Sequence, residues 1–236
     1  MKHLNTYITE YIIKKKLDKP IDSEDHYEYY PKTQKELIKI LNELISQNIY
    51  DFNCIDTSEI TDMSHLFKYI NLYNVNFDIS KWDVSNVTNM NYMFNGCISF
   101  DGDLSYWNVS NVLSMASMFD KCQNFTGKGL ENWDVSKVRN MPCLFMNCKK
   151  FNVDLSNWNT SNVRNLSHTF AKCTKFEGKG LDKWKTTNFV HTNNMFLDCK
   201  NFNCDLSKWN LKNILDMSGM FDGCTSLENK PRWYKK

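Results

Sequence analysis

The apolar positions of this chain recur in a fixed order rather than with the period of one long helix or one alternating strand. A phenylalanine closing a Met-x-x-Met-Phe-type segment stands at Phe67, Phe94, Phe119, Phe145, Phe170, Phe196 and Phe221, at spacings of 27, 25, 26, 25, 26 and 25. Three residues on comes a cysteine at Cys97, Cys122, Cys148, Cys173, Cys199 and Cys224, with Ile70 in the first copy. Next follow Val75, Phe100, Phe125, Phe151, Phe176 and Phe202, then Ile79, Leu104, Leu130, Leu155, Leu181 and Leu206. A tryptophan stands three residues later, at Trp82, Trp107, Trp133, Trp158, Trp184 and Trp209. Self-similarity at a period of 20–50 residues decides an architecture, because each unit must stack on its neighbours to bury its apolar face. The fold class read from this pattern is an α/β repeat solenoid of about seven coils of 25–27 residues. The two-residue step from Trp107 to Val109 predicts a short parallel strand. The Met-x-x-Met-Phe-x-x-Cys segment, at helical spacing, predicts a short α- or 3₁₀-helix opposite.

Two copies, Phe125-Thr-Gly-Lys-Gly-Leu130 and Phe176-Glu-Gly-Lys-Gly-Leu181, hold one extra residue, and their paired glycines predict a bulged or left-handed corner. Before the repeats, Thr33-Gln34-Lys35-Glu36 is a capping box. Leu37, Ile40, Leu41, Leu44 and Ile45 then continue as an amphipathic helix to about residue 48. An earlier helix is predicted over 5–17. These readings divide the chain into a helical N-terminal cap (1–53), the repeats (54–227) and a C-terminal cap or tail (228–236), where Pro231 and charged residues end the pattern.

The units resemble the BspA-like leucine-rich repeat family, in its branch with Trp-Asp-Val-Ser-Asn-Val-Thr-Asn-Met and Met-Phe-x-x-Cys repeats, as at Trp82-Asp83-Val84-Ser85-Asn86-Val87-Thr88-Asn89-Met90. The resemblance spans roughly 55–227. It implies a right-handed parallel solenoid and roles in adhesion and protein interaction.

Composition narrows the function. Lys plus Arg number 29 against 27 Asp plus Glu, so the net charge of +2 gives no global reason for a nucleic-acid partner. No run of about 18 apolar residues is present to span a bilayer, and the N-terminus has no secretory signal, so a cytoplasmic location is expected. The alternative is a cell surface or virion reached by a non-classical route. Nine cysteines, an odd number, are expected to be free thiols, those of the column acting as small buried hydrophobes. The five histidines have no metal-site spacing, Asp101-Gly-Asp103 is too short for a calcium loop, and no nucleotide or nucleophile motif occurs. Neither an enzyme nor a cofactor or metal is therefore expected. The asparagine column Asn86, Asn111, Asn162, Asn188 and Asn213, interrupted by Lys137, is read as a structural ladder.

What remains is a protein-interaction or scaffolding module, the alternative being an adhesin or host-surface ligand. Its candidate binding face comprises Lys81, Tyr106, Asn132, Asn157, Lys183, Lys185, Lys208 and Lys212. The four lysines from Lys183 onward either keep that end soluble or hold an acidic protein partner, with Tyr106 as an aromatic contact.

Overall fold

The computed structural model describes residues 27–68, 70 and 72–234; the helix expected over 5–17 lies outside them. Helix α1, Gln34–Ser46, begins where the capping box places it. Thr33 Oγ1 accepts the Glu36 N–H at 3.3 Å, and Glu36 Oε2 accepts the N–H of Lys32, one residue ahead of the cap, at 2.7 Å. Leu37, Leu41 and Leu44 lie on one face and are buried, while Ile40 and Ile45 are half-buried at its margins. Gln34 Nε2 donates to the Ser64 carbonyl, tying the start of α1 to the first repeat.

The expected solenoid of parallel strands is not found. Among the described residues there are α1, two single-turn 3₁₀ segments (Leu130–Asn132 and Leu181–Lys183), turns, and isolated parallel bridges, but no strand and no sheet. A leucine-rich-repeat structure is likewise unsupported. Two local causes account for the difference. At Trp107–Val109 the next residues turn instead of extending: Ser110 N–H is captured by Asn108 Oδ1 at 3.2 Å and Val112 N–H by the Val109 carbonyl at 2.9 Å. Backbone groups spent within such Asx-type turns are not free to pair with a neighbour.

In the Met-Phe segment, helical spacing is produced by turns whose handedness alternates. Tyr92, Ser117, Cys143, His168 and Asn194 have φ between 53° and 58°, and four residues later Lys121, Asn147, Lys172 and Asp198 have φ between 58° and 67°. A left-handed residue ends any helix, at a cost of about 1–2 kcal/mol for a non-glycine. The reversals point alternate N–H groups towards the following repeat. Met90, Tyr92, Phe94 and Gly96 donate to the carbonyls of Ser114, Ala116, Met118 and Asp120 at 2.8–3.0 Å. The same bonds recur between later copies, as from Ser117, Phe119 and Lys121 to Pro142, Leu144 and Met146 at 2.8–2.9 Å. Consecutive repeats are thus joined by backbone hydrogen bonds without forming strands.

Between these bonds the side chains stack in columns. Rings of the Met-Phe phenylalanines from Phe67 to Phe221 lie 5.2–5.7 Å from the next in line. From Phe67 to Phe196 each packs within its own repeat on a second ring, as Phe94 on Phe100 at 4.4 Å and Phe145 on Phe151 at 4.1 Å. The second column contains Phe77 where the sequence reading put Val75, since Phe77 stacks on Phe100 at 4.9 Å and Val75 is only half-buried. It reaches back to Phe52, 5.8 Å from Phe77.

Candidate interaction faces

Every tryptophan of the column, from Trp82 to Trp209, is at most 5% exposed, and so are Phe94, Phe119, Phe145, Phe170, Phe196 and Phe221. The indoles are fixed by more than burial. Trp133 Nε1 donates to the Leu104 carbonyl, Trp158 to Leu130, Trp184 to Leu155 and Trp209 to Leu181, at 2.8–3.3 Å. Each acceptor belongs to the preceding repeat, so the N–H that would be costly to bury unpaired is satisfied. The column runs further than the sequence showed: Trp233 stacks on Trp209 at 6.3 Å and 4°, and donates to Leu206 O at 2.9 Å. The tail read as ending the pattern therefore supplies one more rung. The signal was its place 24 residues after Trp209.

The thiols form a parallel ladder. Cys122, Cys148, Cys173, Cys199 and Cys224 donate to the carbonyls of Phe94, Phe119, Phe145, Phe170 and Phe196 at 2.8–3.0 Å. All nine cysteines are free. Burial pushes the thiols of Cys97 and Cys224 up to about 12 from an ordinary value of 9.0, and those of Cys122, Cys148 and Cys199 well above it. A group whose pKa is raised by folding contributes stability in full below its unfolded value and loses it as pH climbs towards the folded one. The urea midpoint is accordingly expected to hold up to about pH 9 and fall between there and pH 12; a flat midpoint across that window would contradict the burial of the column. Half-buried Cys54, Cys143, Cys204 and Cys224 should react with a thiol reagent before buried Cys97, Cys122, Cys148, Cys173 and Cys199 do.

On the outside of the tryptophan side, polar side chains divide into those used by the fold and those left to solvent. Asp83, Asn108, Asp134 and Asn159 accept the N–H of the serine two residues on at 2.9–3.3 Å. The Ser136 hydrogen bonds hold the Asp134 carboxyl below its usual range. The asparagine column is structural: Asn111, Asn162, Asn188 and Asn213 donate to a backbone carbonyl of the preceding repeat at 2.6–2.7 Å, while Lys137 Nζ donates to Asn111 Oδ1 at 2.7 Å. Two threonines, Thr160 and Thr186, occupy the inward valine position; their hydroxyls donate to the Lys185 and Asn210 carbonyls of the next repeat.

Lys81, Tyr106, Asn132, Asn157, Lys183, Lys185, Lys208 and Lys212 are all exposed. Tyr106 is 85% exposed, the most open of the large apolar side chains described. It borders an open concavity of about 450 Å³, lined also by Tyr50, Asp78, Ser80, Asp101 and Asp103. Sequence reading set Asp101-Gly-Asp103 aside as too short for a calcium loop and missed that Asp78, from the preceding repeat, joins the pair. The three carboxylates are already engaged. Asp78 accepts Ser80 N–H at 2.9 Å, Asp101 accepts Thr126 N–H and Oγ1–H at 2.8 and 2.7 Å, and Asp103 meets Lys128 Nζ at 2.6 Å. The Lys128 ammonium and the Ser105 hydroxyl hold Asp103 down at about 2. Among the described residues no group of three His, Cys, Asp or Glu side chains is placed to hold a metal ion, and no helix is long and apolar enough to cross a membrane.

A family model described as "Mycoplasma protein of unknown function, DUF285" matches residues 35–129 and again 114–233. The two matches overlap over residues 114–129 and together take in α1 from its second residue, all the repeats and Trp233. The tandem match agrees with a BspA-like repeat family at the coarse level. No curated protein and no solved structure matches the chain.

Proposed function

Because this chain belongs to the DUF285 family of Mycoplasma proteins of unknown function, we propose that it is a non-catalytic protein-interaction or scaffolding module of BspA-like type. The supporting observation is the division of labour on the tryptophan side. Asx residues there are consumed in local turns and asparagines and indoles in joining repeats, whereas the side chains of Lys81, Tyr106, Lys183, Lys185, Lys208 and Lys212 project from the stack. A surface whose register is set by the fold presents side chains at regular intervals without the entropy cost of ordering a loop. Its character changes along the stack, from the engaged carboxylates beside Tyr106 to the four lysines near the last repeats. An acidic protein partner fits the lysine end, with attraction acting mainly on the rate of encounter.

Replacing Lys183, Lys185, Lys208 and Lys212 by Glu should leave the far-UV spectrum and urea midpoint unchanged, since all four are exposed. Association with a partner captured by wild-type protein should slow by roughly tenfold or more at low salt, and by less at high salt, where the Debye length shortens to a few ångströms. Equal association rates at both salt concentrations would remove the lysines from the interface.

A further inference from the structure

We infer that a second surface of the repeats, formed by Lys149, Lys150, Lys172, Lys175 and Lys200, binds a short acidic peptide segment of a protein partner; this deepens, and rests on, the interaction reading above. The five lysines lie around the cysteine column, at the turn that leads from the first phenylalanine column to the second, and not on the tryptophan side. All are exposed. The stacking of the repeats puts them in register. Lys150 and Lys175 precede Phe151 and Phe176, whose rings are 5.5 Å apart, so the two lysines hold one position in adjacent repeats. Lys149 and Lys200 share a position two repeats apart, with Thr174 between them, whose Oγ1 donates to the Lys149 carbonyl at 3.3 Å. Lys172 joins the next repeat through its N–H to Leu197 O at 2.7 Å.

Like charges directly opposite one another across neighbouring chains repel and destabilise the pairing that brings them together. Lys32, Lys128 and Lys179 each have a carboxylate within 3.4 Å that offsets such repulsion. Among the described residues none of the five has such a partner. In the row of Lys172 the next repeat carries Asp198; Asp120 lies one position aside, and is bound to Asn95 at 3.0 Å. Nor do the lysines protect an end. At the positions of Lys149 and Lys150 the earlier repeats carry Ile98, Ser99, Gln123 and Asn124, and the last carries Thr225 and Ser226. At these two positions the charge is confined to the three repeats between, while in the row of Lys172 it begins one repeat earlier, at exposed Lys121.

The chemistry of the patch selects the occupant. It consists of ammonium groups alone, with Asn147, Thr174 and Asn201 between them. Single-stranded nucleic acid is held by aromatic stacking and arginine as well as charge, and neither an arginine nor an exposed ring lies among the five lysines; Tyr73, the exposed ring on this side, belongs to the first repeat. A bilayer surface gains from apolar side chains that enter it, and the exposed large ones, Ile49, Tyr73, Tyr106, Leu113 and Leu215, all lie elsewhere. Carboxylates on an extended peptide need only point charges in a row, with amide and hydroxyl groups alongside for its backbone. The patch spans two inter-repeat steps of about 4.8 Å each. An extended chain covers that distance in about three residues.

The test is fluorescence anisotropy of a labelled hexaglutamate peptide with the full chain. Wild-type protein should bind it at low salt. Lys149, Lys150, Lys172, Lys175 and Lys200 changed together to Gln should weaken binding by roughly tenfold or more, with an unchanged urea midpoint showing that the variant is folded. The tryptophan-side variant, with Lys183, Lys185, Lys208 and Lys212 changed to Glu, should still bind the peptide more tightly than the five-lysine Gln variant does. A pair of single changes, K150Q and K175Q, serves if the fivefold variant fails to fold. Equal peptide binding by wild type and the Gln variants overturns the inference, as does absence of peptide binding by wild type. Binding of an RNA homopolymer or phosphatidylserine vesicles in place of the peptide overturns it too. In each of these cases the interaction reading still stands or falls on partner capture by the tryptophan-side variant.

Discussion

Trp158→Ala should lower the stability of the whole stack by about 3–5 kcal/mol. The ring is 3% exposed, lies parallel to Trp184 at 6.2 Å and 3°, and packs at 6.1 Å on Phe145 of the same repeat. Truncation empties a space bounded by two repeats and withdraws the Nε1–H that reaches Leu130 O at 2.8 Å. That carbonyl keeps one donor, the Trp133 N–H at 3.2 Å, so the hydrogen-bond share of the loss is modest, about 1 kcal/mol, and the cavity dominates. Trp158→Phe separates the two contributions, because it keeps much of the ring and loses the donor. Position in the column sets the scale. Trp209 is covered on both sides, by Trp184 and Trp233, and should behave like Trp158; Trp233, half-buried with one indole neighbour, should cost less. Urea midpoints for the Trp158, Trp209 and Trp233 alanine variants give the comparison. Midpoints equal to wild type at Trp158 would refute the column.

A comparable loss is expected from a single methyl group at Gly180. Its φ is 83°, and a Cβ there would overlap Ser156 N and Cα in the preceding repeat. Backbone cannot swing aside as a long side chain can. The left-handed conformation alone costs an alanine about 1–2 kcal/mol. With the clash added, Gly180→Ala should cost about 3 kcal/mol or more. Gly96→Ala isolates the conformational part, since φ is 84° and the nearest atom to an added Cβ, on the Tyr73 ring, is at an ordinary 3.4 Å. Its cost should stay near 1 kcal/mol. If the two variants melt together, the close approach of the Gly-Lys-Gly corner to the preceding repeat is wrong.

The repeat itself was legible because a buried column tolerates few residue types, so Trp, Phe and Cys mark their positions in nearly every copy. Local conformation was less so. Spacing alone cannot distinguish a helix from turns of alternating hand, and the left-handed residues Tyr92, Ser117, Cys143, His168 and Asn194 share no side-chain type that would betray them. The glycine pairs were readable for the converse reason, since Gly127, Gly129, Gly178 and Gly180 all have φ between 83° and 93°, where glycine alone is unstrained. The strand expected at Trp107–Val109 failed because Asn108, like Asp83, Asp134 and Asn159 after their tryptophans, takes up a backbone donor locally. Val75 was misplaced because the first copy has a longer connection and counting from Phe67 stops short of Phe77. Of the candidate faces, the tryptophan-side lysines could be read by alternation around an invariant residue. The Lys149–Lys200 surface could not, because its residue types change from copy to copy and only the stacking brings them into rows.

Native-state hydrogen exchange tests the central claim, that backbone bonds from each Met-Phe segment to the next make one cooperative stack. The amides of Met115, Ser117, Phe119 and Lys121, and those of Cys143, Phe145 and Asn147, donate to the following repeat at 2.8–3.1 Å. They should share slow exchange governed by a single opening free energy equal to that of global unfolding. Thr126, on the exposed side, donates to an aspartate side chain instead and should exchange faster. Exchange of the Met-Phe amides at the rates of unstructured peptide, or with a different opening free energy for each repeat, would contradict the stack.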